Sequence, residues 1–124
     1  MNKPKILLVD DETRFRTTVA KRLAERGQDV VAVGSGLEAI EAVKRTPFEI
    51  VVLDVKMPGL NGLETLTELK KIRPELAVIM LTGHASVDSS IEGMKLGAFD
   101  YILKPCDIEE LLGKIDAAHR SMQQ

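Results

Sequence analysis

Five short runs of apolar residues alternate along the chain with longer segments in which apolar residues recur every three or four positions. The first four runs are continuous, a pattern typical of parallel strands that are covered on both faces. The segments between them predict amphipathic helices, each with one apolar stripe that packs on the sheet. The predicted strands are Ile6–Val9, Val30–Val33, Ile50–Leu53, Ala77–Leu81 and Tyr101–Leu103.

Helix boundary signals support this alternation. The segments SGLE, NGLE and DIEE, which begin at Ser35, Asn61 and Asp107, each fit a capping box, in which a polar side chain and an acid three residues later satisfy free amides reciprocally. Gly27 and Gly97 stand where helices should end. Five strand–helix units predict right-handed crossovers and a doubly wound α/β fold with a parallel sheet.

Composition limits the classes of protein to consider. The chain has 124 residues, which suits one domain, and a net charge of −2 with acids and bases interspersed. No basic stripe predicts direct binding of nucleic acid, and the single cysteine, Cys106, excludes an intrachain disulfide. No apolar run approaches the roughly 18 residues of a membrane span, and the segment MNKPKILLVDDE lacks the apolar core of a signal peptide. We therefore expect a cytoplasmic protein without a membrane partner.

Polar residues follow the predicted strands at the ends that should share one edge of the sheet. Asp10 and Asp11 follow the first strand, Asp54 the third, Thr82 the fourth and Lys104 the fifth. Two carboxylates about 5 Å apart repel by about 3 kcal/mol at an effective dielectric constant near 20, so three acids favour a hard divalent cation such as Mg²⁺. Mg²⁺, a lysine and a hydroxyl around an acid suit phosphoryl transfer. Asp54, on the middle strand, is the candidate nucleophile.

Four segments carry a family resemblance. LLVDDE, VVLDVKMPGLNGLE, MLTGHAS and YILKPCD resemble, in order and spacing, the motifs of the CheY-like receiver domain of two-component response regulators. The resemblance covers the chain from Lys5 to Ala118. It implies a flavodoxin-like fold with five parallel strands in the order 2-1-3-4-5 and five helices.

The resemblance also implies a metal and phosphoacceptor site. Asp54 would accept the phosphoryl group, Asp11 would bind Mg²⁺ directly, and Asp10 would bind it through water. The backbone carbonyl of Lys56 would complete the protein ligands of the ion. The chain would then be a phosphoacceptor that turns over no external substrate, beyond slow loss of its own phosphoryl group.

A second set of implied roles concerns the response to phosphorylation. Thr82 and Lys104 would bind the phosphoryl oxygens, and Thr82 with Tyr101 would form the switch that changes conformation. Pro105 is a candidate for a cis peptide bond. His84, two residues after Thr82, is a candidate rim residue, although simple exposure is the preferred interpretation.

The implied partners are a sensor histidine kinase or phosphotransfer protein, and an output domain or target at the face of the fourth helix, fifth strand and fifth helix. A phosphorylation-dependent homodimer is a further option. The segments MPGLNGLE and LTGHAS resemble most the corresponding segments of receivers found in transcriptional activators. We expect residues 1–124 to be one receiver domain, and two arrangements stay open: an isolated single-domain regulator, or a domain cut from a longer regulator with a C-terminal output domain.

Several alternative interpretations remain. Asp10 or Asp11 alone could cap the first helix. The segment GSGLEA, from Gly34 to Ala39, fits a dinucleotide-binding fingerprint, but its capping box already explains it. A phosphohydrolase would call for a second acid where Lys56 stands. A receiver fold that is never phosphorylated could serve only as an interaction module.

Overall fold

The computed structural model describes residues 3–57, 59, 61–83, 87–104 and 107–123. The elements are β1 (Lys5–Val9), α1 (Thr13–Glu25), β2 (Asp29–Val33), α2 (Gly36–Arg45), β3 (Ile50–Asp54), α3 (Gly62–Ile72), β4 (Ala77–Thr82), α4 (Val87–Lys95), β5 (Asp100–Leu103) and α5 (Ile108–Met122). Every predicted strand is present, with each end within one residue of its predicted position.

The five strands form one parallel sheet in the order β2-β1-β3-β4-β5. This confirms the predicted α/β class and strand order. The register aligns Val9 with Leu53, Asp54 with Leu81, and Thr82 with Leu103. The carboxyl ends of β1, β3, β4 and β5 therefore meet at one edge, where the polar residues follow.

The core has two layers, one on each face of the sheet. Successive strand residues point to opposite faces, so Leu7 and Val9 join α2 and α3 on one side, while Ile6 and Leu8 join α1 and α5 on the other. All residues of β3 and β4 are buried, as their continuous apolar runs predicted. Among the described residues no helix is long and apolar enough to cross a bilayer.

Strand β2 differs from the prediction of two covered faces. It lies at the edge of the sheet, its residues are exposed or half-buried, and Val31 is 42% exposed. Apolar β-branched residues are enriched in strands, at the edge of a sheet as well as at its centre. The run of valines in β2 therefore indicates a strand but not a buried one. The prediction overestimated the burial of β2 because the order of the strands decides which of them lies at the edge of the sheet.

The capping predictions are confirmed in full at α3. Asn61 accepts the Glu64 amide at 2.9 Å, and the Glu64 carboxylate accepts the Asn61 amide at 3.1 Å. At α2, Ser35 accepts the Glu38 amide, but the Glu38 carboxylate accepts from the Gly34 amide and the Ser35 hydroxyl. The segment that resembles a dinucleotide fingerprint is thus a helix cap beside the edge strand.

Other helix ends follow their local signals. Asp107 caps α5 by accepting the Glu109 amide at 3.0 Å. Gly27 and Gly97 adopt positive φ angles of 79° and 104° just after α1 and α4. The amide of the residue after each glycine bonds back into the last helical turn, which closes both helices and directs the chain into the next strand.

Gly62 sets how closely α3 approaches the end of β3. Its amide donates to the carbonyl of Val55 at 2.9 Å. A β-carbon at Gly62 would lie 2.6 Å from the backbone oxygen of Asp54 and would overlap the backbone of Val55. Any side chain here would push α3 away from the segment that carries Asp54.

We expect Gly62→Ala to lower the free energy of unfolding by about 1–3 kcal/mol, since backbone atoms must move to admit the methyl group. Gly113→Ala is the matched control, because it lies inside α5 with nothing within 4 Å of an added β-carbon. The control should gain about 0.5–1 kcal/mol from helix propensity. Urea unfolding of both variants measures the difference, and equal effects would contradict the close packing.

Candidate functional site

The ends of four strands bring Asp10, Asp54, Thr82 and Lys104 to one edge of the sheet, where the first two acids and the lysine form a pocket. Asp10 is fully buried, Asp54 is 4% exposed and Thr82 is 1% exposed. The Lys104 ammonium lies 3.1 Å from Asp10 Oδ2 and 3.4 Å from Asp54 Oδ1. The sequence placed these residues at one edge, and the structure brings the lysine and both buried acids within contact distance.

Backbone hydrogen bonds fix the segments that carry these side chains. The Asp10 amide donates to Val33 O at 3.2 Å, which extends the pairing of β1 with β2 past the strand end. The Lys104 amide donates to Thr82 O at 2.7 Å, so β5 and β4 remain joined where the lysine leaves the sheet. The side chains therefore project from a hydrogen-bonded edge.

Asp10 also organises the turn into α1. Its Oδ1 accepts the Glu12 amide at 2.9 Å, and its carbonyl accepts Arg16 Nη1 at 2.7 Å. The N-cap of α1 is Glu12, whose side chain makes no capping bond. A role as helix cap alone does not account for Asp10, because its second oxygen binds the Lys104 ammonium.

Three acids form a candidate cation site. Asp10, Asp11 and Asp54 each offer a carboxylate oxygen, and these oxygens lie within 4.8 Å of one another. Asp11 is exposed, whereas the other two are buried, so the group opens to solvent on one side. Carboxylate oxygens at an open rim fit a hard ion that keeps part of its water shell, as Mg²⁺ does.

Lys56 lies beside this group, two residues after Asp54. Its amide donates to Asp54 Oδ1 at 3.4 Å, which ties the segment after β3 to the carboxylate. The predicted role of its backbone carbonyl as a metal ligand stays a prediction. Its side chain is exposed and is not drawn into the pocket.

The charges of the pocket are only partly balanced. Burial raises the pKa of Asp54 to about 6, the neighbouring Asp10 carboxylate adds to the rise, and Lys104 opposes it. Burial also acts to lower the pKa of Lys104, but the hydrogen bond and charge of Asp10 and the charge of Asp54 outweigh it, so that pKa is raised. One ammonium thus pairs with two buried carboxylates, so a further positive charge in the pocket would stabilise the folded protein.

The residues predicted to form the switch lie on the α4 side of the pocket. Thr82 Oγ1 accepts the Ser90 hydroxyl of α4 at 3.5 Å. Tyr101 is 41% exposed and borders a groove of about 480 Å³ between α4 and β5, with Ile91, Met94 and Leu103 beside it. The structure places both residues near α4, and their switching role stays a prediction.

Some sequence predictions fall outside the described residues. These are the rim position of His84 and the cis peptide bond at Pro105. The strands that precede them are described: β4 ends at Thr82, and β5 is followed by Lys104.

Two residues that contact Lys104 were missed by sequence reasoning. Glu12 Oε1 lies 3.5 Å from the Lys104 ammonium, and the Phe15 ring centroid lies 4.5 Å from it. Glu12 directly follows two acids at a strand end, a signal that was available. Phe15 lies in a segment whose apolar pattern indicates only a helix that packs on the sheet, and its contact with a distant lysine had no signal in the sequence.

Comparison with known proteins agrees with this geometry. The family model described as the response regulator receiver domain matches residues 6–116. The chain belongs to this family. A crystal structure of a receiver domain protein from Clostridium thermocellum superposes with a TM-score of 0.93 at 36% identity and covers 97% of both chains.

Curated relatives of this receiver domain are longer transcriptional regulators. It is 39% identical over 120 residues to the uncharacterized transcriptional regulatory protein YkoG of Bacillus subtilis, with 97% of this chain and 53% of that protein covered. It is 38% identical over 106 residues to the transcriptional regulatory protein ZraR of Klebsiella oxytoca, with 86% of this chain and 24% of that protein covered. The chain thus spans about half of the length of YkoG and about a quarter of that of ZraR.

The raised pKa of Asp54 predicts a pH dependence for the metal-free receiver domain. Because the folded-state pKa, about 6, exceeds the ordinary value of 3.8, ionisation of Asp54 destabilises the fold as pH rises through this window. A difference of one in pKa corresponds to about 1.4 kcal/mol. The rise from 3.8 to about 6 therefore lowers the free energy of unfolding by about 3 kcal/mol above pH 6, where Asp54 is ionised.

Asp54→Asn removes this titration. We expect the difference in unfolding free energy between the variant and the wild type to shift in favour of the variant by about 2–3 kcal/mol between pH 4 and pH 7. Urea unfolding with a chelator present measures it. A difference that is independent of pH would show that Asp54 is not destabilised by burial.

Proposed function

We propose that this receiver domain is a phosphorylatable signalling switch in which Asp54 accepts a phosphoryl group from a histidine kinase or phosphotransfer protein. The observation that carries the proposal is the Lys104 ammonium between buried Asp10 and Asp54, beside the exposed carboxylate of Asp11. Such a pocket holds a nucleophile, a cation site and a phosphate-binding lysine within one small volume.

In the proposed reaction, the bond between phosphorus and an imidazole nitrogen of the donor breaks while a bond to an Asp54 carboxylate oxygen forms. The electron pair of the broken bond stays on the imidazole. Asp54 must be ionised to attack, and Lys104 favours that state. A bound Mg²⁺, held by Asp10, Asp11, Asp54 and the carbonyl of Lys56, would neutralise charge on the phosphoryl oxygens.

The new dianion would then reorganise the pocket. Thr82 and Lys104 would turn to the phosphoryl oxygens, and Thr82 would exchange its contact with Ser90 on α4 for one in the site. The side chain of Tyr101 would then move into the space that Thr82 vacates. The phosphoryl group would shift a pre-existing equilibrium by its differential contacts, which typically amount to about 1–3 kcal/mol of coupling.

We assign the output to the face of α4, β5 and α5. Ile91, Met94, Tyr101 and Leu103 are between 41% and 52% exposed there, and these four are most of the large exposed apolar side chains among the described residues. The curated relatives are transcriptional regulators that are longer than this chain. We therefore propose that residues 1–124 act in the cytoplasm and control an output domain for transcription, with phosphorylation-dependent dimerisation as an option.

Two other functions are less well supported. A phosphohydrolase would need a general acid or base near Asp54, and the residue two positions later is Lys56 with an exposed side chain. A receiver that is never phosphorylated would not need three acids whose oxygens lie within 4.8 Å of one another. Turnover of a phosphodonor distinguishes the three.

With Mg²⁺ and a small-molecule phosphodonor such as acetyl phosphate, we expect the protein to gain the mass of one phosphoryl group. Asp54→Asn should gain none, because an amide is not a nucleophile for this step. Intact-protein mass spectrometry measures the gain. Repeated release of phosphate would indicate a hydrolase, and an unchanged mass would refute the proposal.

Mg²⁺ should stabilise the unphosphorylated protein, because it binds the folded state and offsets the carboxylate repulsion. We expect the melting temperature to rise with millimolar Mg²⁺ and the rise to be lost in Asp11→Ala. Asp116→Ala, an exposed acid on α5 that pairs with Arg120, is the control and should keep the rise. An equal rise in both variants would contradict the cation site.

A further inference from the structure

Lys104 has more partners than phosphoryl transfer requires. Besides Asp10 and Asp54, its ammonium contacts Glu12 Oε1 at 3.5 Å and the Phe15 ring centroid at 4.5 Å. Its side chain is only 20% exposed, so these four groups nearly surround the charge. Two of them, Asp10 and Asp54, belong to the proposed metal and phosphoacceptor site. The other two do not.

Glu12 and Phe15 act on the lysine from the first residues of α1. Glu12 is the N-cap residue of this helix, and its side chain is 67% exposed at the rim of the pocket. Phe15 lies one turn further and packs against the apolar layer beneath α1. The carboxylate attracts the ammonium towards the rim, and the ring face attracts it through a cation–π contact.

These contacts compete with the use of the lysine during transfer. A phosphoryl group on Asp54 would offer the ammonium a dianion, and to turn fully towards it the lysine would give up its contacts with Glu12 and the ring. The contacts therefore stabilise the unphosphorylated protein more than the transition state. An interaction of this kind raises the barrier of the chemical step.

We propose that Glu12 and Phe15 are positioning residues that hold Lys104 in a resting position and thereby slow the phosphorylation of Asp54. The inference rests on the proposed function and adds a determinant of its rate. Once the phosphoryl group has captured Lys104, the resting contacts are already broken. They should then have no effect on hydrolysis of the phosphorylated protein.

The test compares two rate constants at saturating Mg²⁺: uptake of phosphate from acetyl phosphate, and hydrolysis of the phosphorylated protein. Glu12→Gln and Phe15→Leu should each raise the uptake rate constant by about two- to five-fold, the value of one exposed ion pair or cation–π contact. The hydrolysis rate constant should not change. Phe15→Tyr keeps an aromatic face and should therefore keep the wild-type rate constant of phosphate uptake.

Two comparisons separate this mechanism from a general effect of charge. Glu41→Gln makes the same change of charge on the exposed side of α2 and should leave both rate constants unchanged. Phe15→Leu changes no charge at all, so an increase in this variant requires release of the lysine. If Glu12→Gln alone speeds uptake, simple repulsion of the anionic donor explains it and the inference fails.

A measurement without phosphorylation keeps the two proposals apart. In the NMR spectrum of the unphosphorylated protein, the ε-methylene protons of Lys104 should be shifted upfield by the Phe15 ring, and Phe15→Leu should abolish the shift. If the wild type takes up no phosphate, the proposed function fails, and the kinetic inference fails with it. If uptake is normal but the upfield shift is absent, only the resting position of Lys104 is refuted.

Discussion

The burial of two carboxylates beside one ammonium is the constraint on which this site depends. Asp10 and Asp54 are almost completely withdrawn from water, and a buried charge is tolerated only when it is paired. Lys104 pairs with both, yet burial still raises the pKa of Asp54 to about 6. Two buried carboxylates that share one ammonium are therefore electrostatically unfavourable, and a cation or a new set of contacts at this pocket would change the energy of the domain.

The fold supplies the rigidity that holds this arrangement. Strands β3 and β4 are buried along their whole length, and the pairing of Asp54 with Leu81 fixes the height of the acid within the sheet. Gly62 lets the first turn of α3 press against the same segment. Side chains held on the ends of packed strands can keep like charges close together, which flexible loops would allow to separate.

The pocket connects to two helices through single side chains. On one side, Lys104 contacts Glu12 and Phe15 at the start of α1. On the other side, Thr82 contacts Ser90 in α4, whose neighbours Ile91 and Met94 form the exposed apolar face. The same few atoms that would bind a phosphoryl group thus contact both α1 and α4. A change of charge at Asp54 would therefore reach side chains that contact both helices.

Most of the fold was predictable from the sequence because its signals are local. Continuous apolar runs, helical stripes and the capping box at Asn61 each act over a few residues, and all five strands were found within one residue of their ends. The order of the strands came from resemblance to a family. The exposure of β2 was missed because burial of an edge strand depends on which strand is its neighbour.

The site was predictable as a set of residues and only partly as a geometry. Parallel strands must bring their carboxyl ends to one edge, so the sequence by itself determined that Asp10, Asp54 and Lys104 would gather there. Only the tertiary structure decided that Lys104 bridges both acids and that Phe15 and Glu12 share its charge. The contacts of Lys104 with Asp10 and Glu12 join residues 94 and 92 positions apart. No local pattern encodes them, since the packing of α1 against the sheet sets their distances.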